Sequence, residues 1–523
     1  MTRTAATIGA GLAPARPARA LRPGERIHVV GAAGAGASAA ALLARHAGAV
    51  PDGCDAGGPS PYTPALEELG IALAWEHDPG HVTRRPGPER LAVTKALTAV
   101  APDHPELVAA RERGIPLEPW QQVVADAAVG RRLVAVAGTH GKSTTAGWLV
   151  HLLAAAGADP AAFVGALLPG TITGRSPATA RWGRGATFVV EADEYAGNFD
   201  PYHPTLAVVT NLDWDHPDVF ADLDAVIAAF RTWLSTAARH GGGEPTLVAN
   251  VADPGVERLL DGLGDWPGQI VAVALVDQAP GRLAGYVRGI ADQFARAGRP
   301  ARVLLGRPLA STPEGTGLEL HGLDPLAGPL MVRLPTAGRH NAANALCVAA
   351  AAERLGLSPA AIGAGLASFP GIGRRLERRG EARGVTVYDD YGHHPTAIRE
   401  TIAAVRQREP GRRVWAVYEP LTYHRTAALL DGFAEALAAG DAVAVAEIWP
   451  GRDRDTSISS AEALAEAVAG RRPEIPIAAP GSVEATAAWL AGQVRPGDVV
   501  LVMGGGRSYR IAGLLLEALE QRR

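Results

Sequence analysis

Leu133-Val134-Ala135-Val136-Ala137-Gly138-Thr139-His140-Gly141-Lys142-Ser143-Thr144-Thr145 reads as a buried apolar strand that runs into a glycine turn. Trp148-Leu149-Val150 and Leu152-Leu153 continue it as a helix. Strand, glycine loop, GKS and helix together aim backbone N–H groups and a helix N-terminus at phosphate oxygens. Gly138, Thr139, His140, Gly141, Lys142, Ser143 and Thr144 are therefore the candidate nucleotide-phosphate loop, with the Ser143 hydroxyl suited to Mg²⁺. Val136 stands where the usual G-x-x-x-x-G-K spacing has its first glycine. Of the 50 Lys and Arg residues only Lys95 and Lys142 are lysines, so a chain that otherwise uses Arg keeps a flexible point charge in this loop.

A chain of 523 residues is too long for one core and predicts two to four domains. Hydrophobic content of 47% and charged content of 20% describe a globular protein, and a net charge of −4 argues against a nucleic-acid or anionic-membrane surface. Two cysteines, Cys54 and Cys347, exclude a disulfide framework and show no C-x-x-C spacing. No apolar run of about 18 residues offers a membrane span. These features predict a cytoplasmic enzyme. The Ala-, Pro- and Arg-rich start, without an acid before Glu25, predicts a disordered tail over 1–21.

Arg26-Ile27-His28-Val29-Val30 is a second strand before a glycine loop, Gly31-Ala32-Ala33-Gly34-Ala35-Gly36-Ala37-Ser38, with Asp55 at the distance where a Rossmann-type unit keeps a ribose carboxylate. Strand–helix alternation assigns a first α/β domain to 22–128. The strands Thr187–Val190 and Leu206–Val209 end in Glu191-Ala192-Asp193-Glu194 and Thr210-Asn211-Leu212-Asp213-Trp214-Asp215-His216. Polar strand ends are where open α/β sheets bind ligands, and they belong to a central domain over 129–368. A third unit over 369–523 carries Asp389-Asp390-Tyr391-Gly392-His393-His394-Pro395 after another strand. The prediction is α/β throughout: three consecutive domains with mainly parallel sheets, Rossmann-like, P-loop ATPase-like and Rossmann-like in order. Glu191 is the natural carboxylate to share a metal with Ser143, and His216 is a candidate functional histidine. Asn344 either caps a helix or offers an amide to a purine.

GTHGKSTT (138–145), EADE (191–194), TNLDWDH (210–216), GRHNAANA (338–345), FPGIGRRLE (369–377), DDYGHHPT (389–396) and LTYHRT (421–426), in that order, resemble the Mur ligase family of cell-wall peptide synthesis. The resemblance implies three domains: one for a UDP-sugar, one for ATP, and one that closes over both and brings the amino acid. It implies small-molecule substrates (UDP-N-acetylmuramate, L-alanine and ATP), Mg²⁺, no nucleic acid, no membrane insertion, and a monomer or homodimer. The implied chemistry is phosphorylation of the sugar carboxylate to an acyl phosphate, which the amine of the amino acid then attacks.

Carried over to this chain, Lys142 clamps phosphate, Ser143 and Glu191 hold one Mg²⁺, and His216 lies near a second metal and the acyl phosphate. Asn344 meets adenine, while Arg375 and Asp390 touch the nucleotide. Gly31, Gly34, Gly36 and Ser38 surround the UDP diphosphate, with Asp55 near the uridine end. Tyr391, His393 and Arg425 handle the amino acid; Lys142, Glu191, His216, His393 and Arg425 are the implied catalytic set. No lysine follows Lys142, which excludes the carbamylated lysine of several later-acting branches and agrees with the alanine-adding branch. The chain departs from that branch's pattern at Ala33, Ala37, Thr94-Lys95-Ala96, Leu421 and His424. The rival readings are a recycling ligase that takes a tripeptide, a nicotinamide-dependent dehydrogenase, and a non-catalytic ATP-binding regulator.

Overall fold

The computed structural model describes residues 8–264, 266–277, 289–292, 294–296, 301–324, 328–451, 453 and 455–521. Three sheets follow one another along the chain. The first is parallel, with strand order Leu73–Ala74, Val50–Cys54, Arg26–Val30, Arg90–Val93, Leu117–Pro119. Arg26–Val30 lies centrally, and Ile27, His28, Val29 and Val30 are all buried. The chain reverses strand order beside it, so its glycine loop opens at the crevice where such sheets bind ligands.

The middle sheet has ten strands. Its centre is parallel, with Arg132–Ala137 between Leu206–Val209 and Thr187–Glu191. All three strands end at the same edge, which brings the phosphate loop, the EADE segment and the Thr210–His216 segment together. One flank is an antiparallel meander, Ala301–Thr312, Gly315–His321 and Leu330–Leu334, and the pair Ala161–Leu168 and Ala178–Arg181 at the other flank is antiparallel too. Helix Lys142–Ala155 packs under the sheet on helix Arg339–Arg354. Trp148 is fully buried there and stacks on Phe369, ring centroids 4.6 Å apart, where the chain leaves for the third unit. The third sheet has six strands, parallel except for the edge strand Glu377–Ala382, which pairs antiparallel with Val385–Asp390.

The N-terminal segment corrects one expectation. Residues 1–7 lie outside the described residues, but 8–21 do not form a loose tail. Ile8 is 1% exposed, and Arg16 donates to Glu118 Oε1 (2.7 Å) and Asp126 Oδ2 (2.8 Å). Those two acids also serve the buried Arg90, so the arginines that made this segment look solvated are its anchors. Among the described residues no helix is long and apolar enough to cross a membrane.

Candidate active site

Strand Arg132–Ala137 turns at Gly138 (φ 131°), and Gly141 (φ 80°) caps helix Lys142–Ala155. A Cβ at Gly138 would lie 2.2 Å from Thr210 Oγ1, and one at Gly141 2.5 Å from Asn344 Oδ1. Only glycine fits both the left-handed backbone and the close approach. Lys142 Nζ donates to Gly138 O (2.7 Å) and Glu194 Oε2 (3.0 Å). Burial alone would lower its pKa, but the carboxylates of Glu194, Asp193 and Glu191 raise it and keep the ammonium charged. Burial pushes the Glu194 carboxyl up to about 7 against the pull of Lys142. Ser143 Oγ donates to Glu191 Oε1 (2.9 Å) and accepts from Arg375 Nη2 (2.8 Å), so the third unit already touches the phosphate loop.

His216 sits in the left-handed region (φ 56°), which turns its ring towards the loop. Arg425, 2% exposed, donates through Nε to Asp215 Oδ1 (2.8 Å) and through Nη2 to His216 Nδ1 (3.1 Å). An accepting Nδ1 leaves Nε2 of the neutral ring to face Glu194 Oε1, 3.9 Å away. Burial disfavours charge on Asp215, yet Arg425 and the neighbouring histidines hold its carboxyl well below the usual range. Asp193, Glu194 and His216 each present one ligand atom within 4.8 Å of the others, an oxygen- and imidazole-rich set suited to a divalent cation.

From the third unit, His393 Nδ1–H donates to Tyr391 O (2.9 Å), and burial holds its ring neutral. His394 donates through Nε2 to Trp214 O (3.2 Å), and Thr396 Oγ1 donates to Asp213 Oδ2 (2.9 Å), which docks the start of helix Pro395–Arg408 on the middle unit. Burial and the nearby His140 push the His394 pKa down to about 4.

From the first unit, Asp55 Oδ2 accepts from Ala33 N (3.0 Å) and braces the glycine loop. A Cβ at Gly36 would fall 2.1 Å from the Trp120 ring. One cavity of about 580 Å³ runs between Gly31, Gly34, Gly36 and Asp55 on one side and Lys142, His216, Tyr391, His393 and Arg425 on the other. A second, of about 1430 Å³, shares His140, Gly141 and Arg375 with it and adds Thr144, Asn344 and Asp390.

Two sequence-based expectations change. Ser38 does not reach the cleft: it is fully buried behind the loop, donating to Ala35 O (2.9 Å) and meeting Thr179 Oγ1 (3.1 Å). Asp390 lines the larger cavity, but its oxygens accept from Leu376 N and Gly392 N (2.8 and 2.7 Å), so it shapes that wall through the backbone. Sequence reasoning also missed Trp120 and Phe163 in the cleft. Lys95 was in view through the Thr94-Lys95-Ala96 departure near the sugar site, and it lines the cleft; a single aromatic ring carries no such signal.

A phosphate loop facing a second glycine loop across one cleft, with a third α/β unit closing over both, defines a class of nucleotide-using enzyme. Family models agree across the chain: Mur ligase family, catalytic domain, matches 26–132; Mur ligase middle domain, 136–352; Mur ligase, glutamate ligase domain, 374–506. The chain is 35% identical over 506 residues to a UDP-N-acetylmuramate–L-alanine ligase of Roseiflexus castenholzii, covering 94% of this chain and 97% of that one. With a protein of the same name from Kineococcus radiotolerans it shares 37% identity over 501 residues, covering 95% and 97%. Among solved structures, the UDP-N-acetylmuramate–alanine ligase of Thermotoga maritima superposes with a TM-score of 0.71 at 21% identity, covering 94% and 98%. A murein peptide ligase of Psychrobacter arcticus gives 0.68 at 23%, covering 96% and 100%. The chain belongs to the Mur ligase family.

Proposed function

We propose that this chain is an ATP-dependent ligase that joins L-alanine to the carboxylate of UDP-N-acetylmuramate through an acyl phosphate, a step of peptidoglycan precursor synthesis. The observation that carries it is the single cleft in which the Gly31–Gly36 loop, Lys142 and Arg425 face one another. An anionic sugar nucleotide on the first loop then has its reacting end beside the phosphate loop. The near full-length likeness to proteins named for this activity supports the alanine assignment over the tripeptide-recycling reading.

In this reading 22–128 holds the UDP-sugar, 129–368 the ATP, and 369–523 closes over them. The adenine end occupies the larger cavity near Asn344. Gly138–Thr144 holds the phosphates with backbone N–H groups, and Lys142 neutralises their charge by exchanging its bond to Gly138 O or Glu194 for a phosphate oxygen. Ser143 with Glu191, and Asp193 and Glu194 with His216, would hold Mg²⁺, which supplies charge stabilisation for phosphoryl transfer. The donor sets fit: hydroxyl, carboxylates and one imidazole converge at the helix N-terminus, and the single Lys142 charge offsets only part of the three carboxylates.

Arg425 keeps its Nε on Asp215, while Nη1 is buried without a hydrogen-bond partner among the described residues. A substrate carboxylate satisfies such a guanidinium edge. Leu421, Tyr391 and His393 line the same end of the cavity, an apolar wall beside a neutral imidazole that suits a small side chain and an uncharged attacking amine. Closure by His394 and Thr396 excludes water from a hydrolysable intermediate. The test is ADP release from ATP and Mg²⁺ with UDP-N-acetylmuramate, comparing L-alanine, glycine, L-serine and a tripeptide. Preference for L-alanine supports the assignment; preference for the tripeptide transfers it to the recycling reading.

A further inference from the structure

The first unit gathers a cluster of ligand-type side chains that the cleft does not use. His28 and Cys54 stand on the adjacent strands Arg26–Val30 and Val50–Cys54, His81 on helix Gly80–Thr83, and Glu106 on the first turn of helix Pro105–Glu112. One donor atom from each lies within 4.8 Å of all the others. Cys54 Sγ is 3.4 Å from His28 Nε2 and 3.1 Å from Glu106 Oε2; His28 Nε2 is 3.5 Å from Glu106 Oε2, and His81 Nδ1 is 2.8 Å from Glu106 Oε1. Bonds of about 2.0–2.3 Å to tetrahedral zinc set neighbouring donors roughly 3.3–3.8 Å apart; the Cys54–His28 and His28–Glu106 separations fall there, and the two shorter ones are hydrogen bonds that the ion would replace.

The surroundings are prepared as well. Asp52 Oδ1 accepts from His28 Nδ1 (2.7 Å), which turns the Nε2 lone pair into the cluster. Arg84 in turn holds Asp52. A carboxylate behind an imidazole is the usual support of a metal-binding histidine. His77 Nδ1 stands 3.2 Å from the sulfur, and His104, whose two ring nitrogens have no hydrogen-bond partner among the described residues, packs edge-on against it. All this sits among Val30, Val82, Leu91 and Leu107, with Cys54, His28 and Glu106 buried. These groups hydrogen-bond to one another, but a fully buried carboxylate such as Glu106 is costly in an apolar core unless a cation compensates it. A dication with one thiolate, one carboxylate and two neutral imidazoles balances to zero charge. Cys54, His28 and Asp52 are also aligned like a hydrolase relay, but a sulfur sealed from solvent meets no substrate.

We propose that His28, Cys54, His81 and Glu106 bind one zinc ion that fixes the first unit's glycine loop. The coupling is direct: the carbonyl of Cys54 accepts from Gly31 N (2.9 Å) and Ala32 N (3.0 Å), and the next residue, Asp55, accepts from Ala33 N. Binding forms the sulfur–zinc bond and releases the thiol proton to solvent. His77 and His81, whose side chains are 22% and 19% exposed, form the side through which the ion enters.

The test is elemental analysis of the full-length chain purified without a histidine tag, followed by chelation and titration with Co²⁺. The expected result is about one zinc per chain and a thiolate-to-cobalt charge-transfer band that Cys54→Ser abolishes. Asp52→Asn should weaken metal affinity by about 10–100-fold while leaving the cobalt spectrum recognisable. Should Cys54→Ser not fold, His81→Ala at the rim reads the same loss of the ligand set. Zinc should also slow amide exchange at 31–37. A folded chain that carries no zinc and gives no cobalt–thiolate band overturns the site; a zinc-loaded chain with unchanged exchange overturns the role in the loop.

Discussion

The two glycine loops use the same backbone device for different ends. Each follows a central parallel strand and opens a helix, Ala35–His46 in one unit and Lys142–Ala155 in the next. The first loop offers only N–H groups and small side chains, and its supports lie behind it: the Cys54 carbonyl and the Asp55 carboxylate. The second carries a cation in the loop and three carboxylates around it, Glu191, Asp193 and Glu194. A diphosphate that is only held needs dipoles and a helix N-terminus. A phosphoryl group that moves needs charge that follows it. The difference between binding and chemistry is thus written in side chains, on backbones that are nearly alike.

The largest effect should come from breaking the charged loop alone. Lys142→Ala is expected to lower kcat by at least about 10³-fold, while calorimetry still detects UDP-N-acetylmuramate binding at near wild-type affinity. Ligation at near wild-type rate would remove Lys142 from the phosphate site. The converse change is Gly36→Ala. Its methyl group must displace the Trp120 ring, and overpacking of that kind costs about 1–3 kcal/mol. UDP-N-acetylmuramate affinity should fall by roughly 5–100-fold with ATP affinity unchanged. A loss of both affinities together would mean that the two loops are not independent.

That independence was legible in the sequence, because each loop is a short-range pattern: an apolar strand, glycines and a helix. Parallel strands buried on both faces, such as Leu206–Val209, read as continuous apolar runs. What escaped the sequence is what long-range pairing decides. The antiparallel strands Ala301–Thr312, Gly315–His321 and Leu330–Leu334 break the alternation of strand and helix. Asp215 and Arg425 meet across 210 positions. In EADE the strand end already pointed to Glu191 as the partner of Ser143, but only the turn after the strand decides that Glu194 meets Lys142. Ser38 failed for a helical reason: one turn into Ala35–His46, its side chain points back into the packing against Thr179.

A third change leaves both loops whole and tests the unit that closes over them. Arg425→Lys keeps a cation for the buried Asp215 but loses the planar fork. It should raise the KM for L-alanine by about 10-fold with little change in the KM for ATP or the UDP-sugar. An unchanged KM for the amino acid would move its carboxylate away from Arg425. A rise in all three would show that the residue serves domain closure instead.

The smallest effect concerns how that closure depends on pH. His394 is neutral where it donates to Trp214 O, with its pKa held down to about 4 by burial and by His140, whose ring centroid is 4.7 Å away; Asp215 and Asp213 pull the other way, and Arg425 adds to the depression. In an open form the ring regains water and an ordinary pKa near 6.5. The open form then binds more protons than the closed one between these two values, so closure weakens as pH falls through that window and is pH-independent above it. From pH 7.5 to 6.5 the closed-to-open ratio should drop only by a factor of about two, and from pH 6 to 5 by about sevenfold. Small-angle scattering across this range, with His394→Gln as the variant that removes the titrating group, measures it. A wild-type profile flat down to pH 5 would mean that the ring keeps its burial when the units part, and that His394 belongs to the rigid frame rather than to the closing surface.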